Sequence, residues 1–457
     1  MDLREWLPQA VEAHSAWRAG FGVYTPHPVD DVDDEDFAAA YAEFVKRMDD
    51  NYPFFHPRYA GQMVKPPHPA AVIGYVTAML ANPNNHAREG GPATTDMEIE
   101  VVAELAGMFG FPRHLGHLTG GGTVANLEAL YVARESHPGR DVAFSADGHT
   151  AHARMCHLLG MRGHAVPVDA HGRMDMDALE DLLRGGRVGT VVLTAGTTGL
   201  GAVDPIHEAL VLKEKYGVRL HVDAAYGGFF TLLAGGSGAE ALPSEPWLAI
   251  GACDSVVVDP HKHGLQPYGC GAVIFSDPGV ARHYRHESPF TFFTEAALHL
   301  GEVSLECSRA GAAAAALWLT LKVLPLTRDG LGAVLACGRR AALRWAELIT
   351  DSPALDLYQR PELDIVTFFP RTEPMSLSGV DAGSTRLCTT AAEAAADPVF
   401  LSILCTTAEA FRARHPGAVG DAEQARVLRS VLLKPESETH LDGLHHRVEE
   451  LAMRRDR

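Results

Sequence analysis

Two ionisable residues, each at the end of an apolar stretch, carry the strongest chemical signal in this chain. Asp223 ends the sequence RLHVD, and Lys262 follows DSVVVDPH. A lysine beside an apolar strand suits covalent attachment of an aldehyde. A carboxylate facing a pyridine nitrogen keeps that nitrogen protonated, so the ring accepts the electron pair released when a bond at a substrate's Cα breaks. The pair therefore indicates a site for pyridoxal phosphate (PLP).

A glycine-rich loop, TGGGT at 119–123, precedes a predicted helix over 123–136. Its glycines let backbone N–H groups approach an anion, and the helix N-terminus adds a positive charge of about half an elementary unit. Taken alone, such a loop is more often a flexible turn than a phosphate site. Together with Asp223 and Lys262 it predicts the site of the cofactor phosphate.

Histidines supply a second set of candidates. His149, in SADGHTAHARM, follows a short predicted strand and is placed to stack on a pyridine ring. The chain has 24 histidines, so any single one is as readily structural or solvated. We interpret His152 and His157 in that second way. The sequence contains no H-E-x-x-H or similar ligand spacing, so no metal site is predicted.

Three further polar residues lie near strand ends. Thr197 and Thr198, in TAGTTGLG, are candidates to hydrogen-bond the cofactor or the substrate, or simply to form a turn. His261 immediately precedes Lys262 and is a candidate phosphate contact, with a structural role equally open.

Short β-branched runs alternate with helical patterns through the middle of the chain. Strands are predicted at 141–145, 165–169, 190–196 and 219–223, with helices at 123–136, 175–184 and from Asp204 to Gly217. This alternation predicts an α/β fold with a mostly parallel sheet covered on both faces. Ligands of such sheets bind beyond the carboxyl ends of the strands, where Asp223 and Lys262 are expected.

The chain divides into three predicted parts. Residues 1–90 form an N-terminal segment, with an amphipathic helix around 36–48 and a proline-rich stretch at 51–69 that we assign to dimer or pocket contacts. Residues 91–310 form the large cofactor-binding domain. Residues 311–457 form a small C-terminal α+β domain with strands near 364–369 and 427–433 and a final amphipathic helix.

Composition sets limits on the partners. The chain has 457 residues, 46% of them hydrophobic, and a net charge of −19, which disfavours nucleic acid and anionic membranes as partners. Its seven cysteines are scattered and form no C-x-x-C pair, as expected for reduced thiols in a cytoplasmic protein. No signal peptide and no transmembrane stretch is predicted.

Five segments together resemble a known family: TGGGTVANLEAL, SADGHTAHARM, HVDAAYGG, DPHKHG and SLECSRAGAAAAALW. They are similar to motifs of the PLP-dependent group II amino acid decarboxylases, which include aromatic amino acid, glutamate, histidine and tyrosine decarboxylases. The sphingosine phosphate lyases are a more distant likeness. The resemblance runs from about residue 50 to the C-terminus and implies the fold-type I architecture of PLP-dependent transferases.

The resemblance also implies roles for individual residues. Those implied are Gly122 and Thr123 at the phosphate, His149 over the ring, Asp223 at the ring nitrogen, Ala225 beneath the ring and Lys262 as the covalent attachment point. The chain departs from the family pattern at Val124, where glutamate is frequent, and at His263, where a bulky apolar residue is common. The second departure bears on the pocket or on proton supply at Cα.

The family likeness further implies a homodimer whose active sites lie at the subunit interface. The candidate closing loop is 283–300, with a locally packed surface loop as the alternative. Its Phe290, Phe292 and Phe293, together with Tyr268 and Phe54, favour an aromatic substrate, and no arginine stands out as a partner for a side-chain carboxylate.

We therefore expect a decarboxylase that converts an L-amino acid to the primary amine and CO2. Two alternatives are a carbon–carbon lyase acting on a phosphorylated amino alcohol, which needs further basic residues at the pocket mouth, and a catalytically silent PLP-binding protein.

Overall fold

The computed structural model describes residues 1–284 and 299–454. The helices in these residues are α1 Leu3–Ala19, α2 Asp34–Met48, α3 Pro69–Ala81, α4 Pro92–Met108, α5 Gly122–Ser136, α6 Ala151–Leu158, α7 Met176–Arg184, α8 Ile206–Tyr216, α9 Glu245–Ala249, α10 Gly311–Val323, α11 Leu331–Asp351, α12 Leu377–Ala392, α13 Ala408–Arg414 and α14 Glu436–Met453. The strands are β1 Leu115–Thr119, β2 Asp141–Ser145, β3 Gly163–Val166, β4 Val188–Thr194, β5 Arg219–Asp223, β6 Ser255–Val258, β7 Gly271–Phe275, β8 Leu355–Gln359, β9 Ile365–Pro370, β10 Ser402–Thr407 and β11 Gln424–Val431.

The larger sheet has the strand order β1-β7-β6-β5-β4-β2-β3. Strands β3, β2, β4, β5 and β6 run parallel, while β7 pairs antiparallel with both β6 and β1. All residues of β4 and β6 are buried, as expected for strands with helices on both faces. The predicted α/β fold with a mostly parallel sheet is confirmed.

Local sequence signals explain where several of these elements begin and end. Asp175 caps α7, because its side chain accepts hydrogen bonds from the amides of Asp177 and Ala178 at 2.9 and 3.0 Å. Gly217 ends α8 with a φ of +65°, a conformation that glycine adopts without steric cost. This turn returns the chain directly into β5, which ends at Asp223.

The smaller sheet is antiparallel, with the order β10-β11-β9-β8. Helices α11, α12 and α14 contribute buried residues to its core, as an α+β domain requires. Helix α10 instead packs against α3 and α4, and its Ala314 and Leu317 join the core beneath the larger sheet. The domain limits at residues 90 and 310 stay predictions.

The N-terminal part carries an unusual amount of exposed apolar surface. Every residue of α2 is exposed, including Phe37, Tyr41 and Phe44, which recur at helical spacing on one face. Within the part of the chain described here, no helix combines the length and apolar character needed to cross a membrane.

Candidate active site

A cavity of about 290 Å³ lies beyond the carboxyl ends of β4, β5 and β6. The eight residues predicted to bind the cofactor or act in catalysis all line it, together with several others. The lining residues are Gly120, Gly121, Gly122, Thr123, Val124, Asn126, His149, Thr194, Gly196, Thr198, Asp223, Ala225, Tyr226, Asp259, His261 and Lys262. The structure thus brings the predicted residues together, while the role of each one stays a prediction.

The glycine loop forms one wall of the cavity and leads into the N-terminus of α5. Gly121 has a φ of +145°, which a residue with a side chain rarely adopts. A Cβ added at Gly122 would lie 2.8 Å from Oδ2 of Asp259 and 3.1 Å from Cβ of Ala225. The loop backbone therefore approaches the Asp223 and Lys262 segments more closely than any side chain would allow.

Lys262 projects from the turn that follows β6. Its Nζ lies 3.0 Å from Oδ2 of Asp259, three residues earlier in the same segment. Asp259 is buried, so a charged partner is needed to offset the cost of burying its carboxylate. The carboxylate holds the lysine side chain at the cavity, where the side chain remains partly accessible.

Asp223 ends β5 and is buried against α6. Oδ2 of Asp223 lies 2.9 Å from Nε2 of His152, and its Oδ1 accepts a hydrogen bond from the amide of Ala225 at 3.1 Å. Burial alone would raise the pKa of Asp223, but His152, the Ala225 amide and Lys262 together hold that pKa well below its ordinary value. Asp223 is therefore a carboxylate at any pH at which the protein works.

His149 lies at the start of α6, on the same side of the cavity as Asp223. Its Nδ1 accepts a hydrogen bond from the amide of Ala151 at 3.2 Å, which fixes the direction of the ring. Burial lowers the pKa of His149, and the nearby Asp223 offsets only part of this effect. The neutral ring that results is suited to stacking on an aromatic ligand.

The two threonines that the sequence left equivalent have different surroundings. Thr197 is buried, and its Oγ1 accepts a hydrogen bond from the amide of Ala202 at 3.1 Å, which stabilises the turn after β4. Thr198 is exposed and lines the cavity. Of the pair, Thr198 is the one available to a ligand.

Sequence reasoning missed His152, which we had interpreted as structural or solvated. It is buried against Asp223 in the first turn of α6, three residues after His149, which lies just before the helix. The amide of His152 donates to the carbonyl of His149 at 3.1 Å, and this turn at the start of α6 places both histidines near Asp223. That spacing is the signal from which the role of His152 was predictable.

A buried chain of hydrogen bonds, also missed, supports the glycine loop from below. Nδ2 of Asn126 donates to the carbonyl of Gly122 at 2.8 Å, and Oδ1 of Asn126 lies 2.8 Å from Nε2 of His221. Nδ1 of His221 in turn lies 2.9 Å from Oγ of Ser255. Burial lowers the pKa of His221 to about 3, so the ring is neutral and links the loop to β5 and β6 without adding charge.

The residues present fit PLP. Three polar atoms around the cavity are buried without a hydrogen-bond partner among the described residues: Oγ1 of Thr194, Oδ1 of Asp259 and Nδ1 of His261. Buried polar atoms in this condition point to a missing ligand. The glycine loop offers amides for a phosphate, Asp223 a carboxylate for a ring nitrogen, and Lys262 an amine for an aldehyde.

His263, the second departure from the family pattern, does not line the cavity. Its Nδ1 lies 2.9 Å from the carbonyl oxygen of Tyr226, and its Nε2 lies 2.8 Å from Oδ2 of Asp364. Both ring nitrogens are engaged, so His263 has no donor left for a group in the cavity. Of the two expected effects, direct proton supply at Cα finds no support in this geometry, and an effect on the pocket stays a prediction.

The aromatic residues considered for the substrate have separate positions. Phe54 packs edge-on against Tyr59 at 4.9 Å and does not line the cavity. Tyr268 lies 4.8 Å from the His261 ring, beside the cavity. Almost all of the predicted closing loop 283–300, with its three phenylalanines, lies outside the described residues.

Comparison with known proteins identifies the family. The model of the pyridoxal-dependent decarboxylase conserved domain matches residues 34–370. An L-tyrosine decarboxylase from Enterococcus faecium is 30% identical over 388 residues, and the match covers 64% of each chain, just under two thirds of that enzyme. A probable L-tyrosine/L-aspartate decarboxylase from Methanothermobacter thermautotrophicus is 30% identical over 315 residues, which cover 68% of this chain and 82% of that protein.

A solved structure shares the fold. The structure of Oryza sativa TDC with PLP and tryptamine superposes with a TM-score of 0.78 at 17% identity, covering 99% of this chain and 97% of that one. The predicted fold class and cofactor are thereby confirmed. Since the family model spans well over half of the chain, this protein belongs to the family of pyridoxal-dependent decarboxylases.

Proposed function

We propose that this protein decarboxylates an aromatic L-amino acid, releasing CO2 and the corresponding primary amine. One observation carries the proposal: Lys262, Asp223 and the glycine loop, which are distant in sequence, line a single cavity in a member of this family. The tyrosine decarboxylase relatives and Tyr268 beside the cavity support the aromatic substrate.

Each predicted site residue would have a separate role in holding the cofactor or orienting the substrate. When bound, PLP supplies an electron sink for the pair released at the substrate's Cα. Lys262 would hold the cofactor aldehyde, and Asp223 would keep a proton on the ring nitrogen. His149 would cover one face of the ring, with Ala225 beneath the other. Gly122, Thr123 and His261 would hold the phosphate, and Thr198 would orient the substrate.

An acidic substrate is a second candidate, favoured by Arg429. This side chain is buried, its Nε donates to the carbonyl of Gly199 at 3.2 Å, and its Nη2 has no hydrogen-bond partner among the described residues. Gly199 directly follows Thr198, so the guanidinium lies near the cavity wall. A carboxylate is the natural partner for such an arginine, but Arg429 does not itself line the cavity and the Asp364 carboxylate already faces it, so the acidic substrate ranks second.

The other two alternatives receive less support. A lyase acting on a phosphorylated amino alcohol needs basic residues at the cavity mouth, and Lys262 is the one lysine or arginine among the described lining residues. A silent PLP-binding protein has no need for both Asp223 and Lys262.

Product analysis tests the proposal. The purified protein loaded with PLP is incubated with L-tyrosine, L-tryptophan, L-aspartate and L-glutamate, and CO2, amine, aldehyde and keto acid are measured. We expect stoichiometric CO2 and amine from an aromatic amino acid. Amine from L-aspartate alone would support the acidic candidate. Keto acid as main product would indicate an aminotransferase, and aldehyde with ammonia and peroxide an oxidative enzyme.

We further propose a homodimer. The apolar face of α2, formed by Phe37, Tyr41 and Phe44, is exposed to a degree unusual for a surface helix of a monomer. Such a face is stabilised by burial against a second copy of the chain. The cytoplasm is the proposed location, in keeping with seven cysteines that are all free.

Charges placed on α2 should weaken the dimer. In the variant Phe37→Glu with Phe44→Glu, two carboxylates replace apolar rings, and we expect sedimentation to show a shift from dimer towards monomer, with a parallel loss of activity. Val211→Glu, on the exposed face of α8, is the matched control and should leave the wild-type mass unchanged. A wild-type protein that is a fully active monomer would contradict the proposal.

The same dimer should have composite active sites. Mixing Lys262→Ala protein with a variant disabled in the loop 283–300 should then restore activity in heterodimers. In such a heterodimer, one of the two sites combines the intact Lys262 of one chain with the intact loop of the other. No recovery after subunit exchange would indicate that each chain builds its own complete site.

A further inference from the structure

His263 is buried immediately after Lys262, although its side chain faces away from the cavity. Its ring lies 4.6 Å from the Tyr226 ring and 4.9 Å from the Phe230 ring, edge-on to both. Tyr226 itself lines the cavity, three residues after Asp223. The ring of His263 therefore contacts the back of the wall that faces the candidate cofactor site.

The hydrogen-bond partners of His263 are both oxygen atoms. The carbonyl oxygen of Tyr226, 2.9 Å from Nδ1, accepts a hydrogen bond and has none to give. Oδ2 of Asp364 lies 2.8 Å from Nε2, and the Tyr226 hydroxyl donates to Oδ1. Burial alone would raise the pKa of Asp364, but His263 and Tyr226 hold it below its ordinary value. The buried ring of His263 is thus held between a carbonyl oxygen and a carboxylate, one at each ring nitrogen.

Asp364 belongs to the small domain, where it directly precedes β9. The charged groups that face it come from several elements: Lys65 from the N-terminal segment, Arg339 from α11 and Arg429 from β11. Lys65 donates to the carbonyl of Leu433 at 3.0 Å, and burial lowers the pKa of Lys65 to about 8. The carboxylate thus lies at the junction of the three parts of the chain.

The backbone after Lys262 needs external support. Leu265 has a φ of +62°, a left-handed conformation that is strained for a residue with a side chain. The carbonyl of Leu265 accepts a hydrogen bond from the amide of His68 at 2.8 Å. Contacts from outside the segment hold it in this shape. The contact of the His263 ring with Asp364 is the one that involves a carboxylate.

We propose that His263 and Asp364 are positioning residues, which hold the Lys262 segment and the Tyr226 wall in register with the small domain so that Lys262 reaches the cofactor. This inference rests on the proposed PLP site. It assigns a function to the histidine that distinguishes this chain from the family pattern at this position.

The variants His263→Met, Asp364→Asn and their combination test the proposal. The first removes both donors at similar volume, and the second keeps the shape of the carboxylate without its charge. Each protein is loaded with PLP, and four quantities are measured: the pH midpoint of the absorption band of the covalently bound cofactor, the apparent Kd for PLP, kcat with KM, and Tm. His207→Met, an exposed histidine on α8, is the control.

For His263→Met we expect the pH midpoint to rise, because the buried carboxylate of Asp364 loses its histidine partner and favours protons near Lys262. Each single variant should bind PLP about tenfold more weakly, which corresponds to about 1.4 kcal/mol. The value of kcat should fall while KM changes little. The double variant should lose less than the sum of the two single losses, since no buried carboxylate is then left without its partner.

Two results would overturn the proposal. If the single variants lower Tm alone and keep the wild-type pH midpoint, PLP affinity and kcat, the pair is merely structural. That result would leave the proposed function standing. Wild-type protein that takes up no PLP would instead overturn both this proposal and the proposed function, so the two kinds of failure are distinguishable. If His263→Met does not fold, Tyr226→Phe, which removes one donor to Asp364, takes its place in the same measurements.

Discussion

Lys262→Ala should abolish turnover while the protein still folds and still binds PLP weakly. The amine of Lys262 is the attachment point in the proposed site, and loss of a covalent nucleophile costs about 10³-fold or more in rate. The glycine loop and Asp223 do not depend on this side chain, so part of the cofactor affinity should remain. Stopped product assays, absorption spectra and circular dichroism measure the three effects.

Borohydride gives an independent test of the same assignment. Treatment of the wild-type protein with PLP and borohydride should fix the cofactor on a single peptide that contains Lys262. Lys215→Ala, which removes an exposed lysine on α8, is the control and should be labelled like the wild type. A label on any other lysine, or normal turnover by Lys262→Ala, would contradict the assignment.

Much of the larger sheet was predictable because its signals are local. Strand β2 was predicted at its observed limits, and β5 likewise ends at Asp223, since apolar runs and helix-ending glycines mark both. The placement of Asp223 and Lys262 at one edge then follows from the general geometry of parallel sheets. The glycine loop was recognisable because its residue types permit the close backbone approach.

Features that depend on distant pairing were not predictable. Strands β1 and β7 were missed, and their antiparallel pairing joins residues far apart along the chain. The edge strands β8 and β10 were missed too, since their mixture of buried and exposed residues gives no clear pattern of alternation. The contact between His263 and Asp364 was not predictable for a related reason: the two residues are 101 positions apart, and nothing in the local sequence indicates that they meet.

Asp223→Asn should reduce turnover by about 100-fold or more, the scale of a positioned acid or base group, without unfolding the protein. Asparagine keeps the size of the side chain but cannot hold a proton on the ring nitrogen by charge. The pKa of Asp223 lies well below its ordinary value. The ionised Asp223 therefore stabilises the folded protein fully at pH values above about 3.9, the ordinary pKa of an aspartate in the unfolded chain. This contribution is lost only as pH falls through the lower pKa that Asp223 has in the folded protein.

Asp223 itself does not titrate from about pH 5 to about pH 9, so it adds no pH dependence to the wild-type rate in that interval. The variant has no charge to hold the proton on the ring nitrogen, so its loss of rate relative to the wild type should grow as pH rises. The ratio of wild-type to variant kcat across this range is the measurement. Asp223→Glu, which keeps the charge, should recover part of the rate and is the matched control. His152→Gln removes an imidazole from the carboxylate but leaves its charge, so its effect should be smaller than that of Asp223→Asn. Near-normal turnover in Asp223→Asn would contradict the argument that this residue sustains the electron sink, regardless of the result for Lys262→Ala.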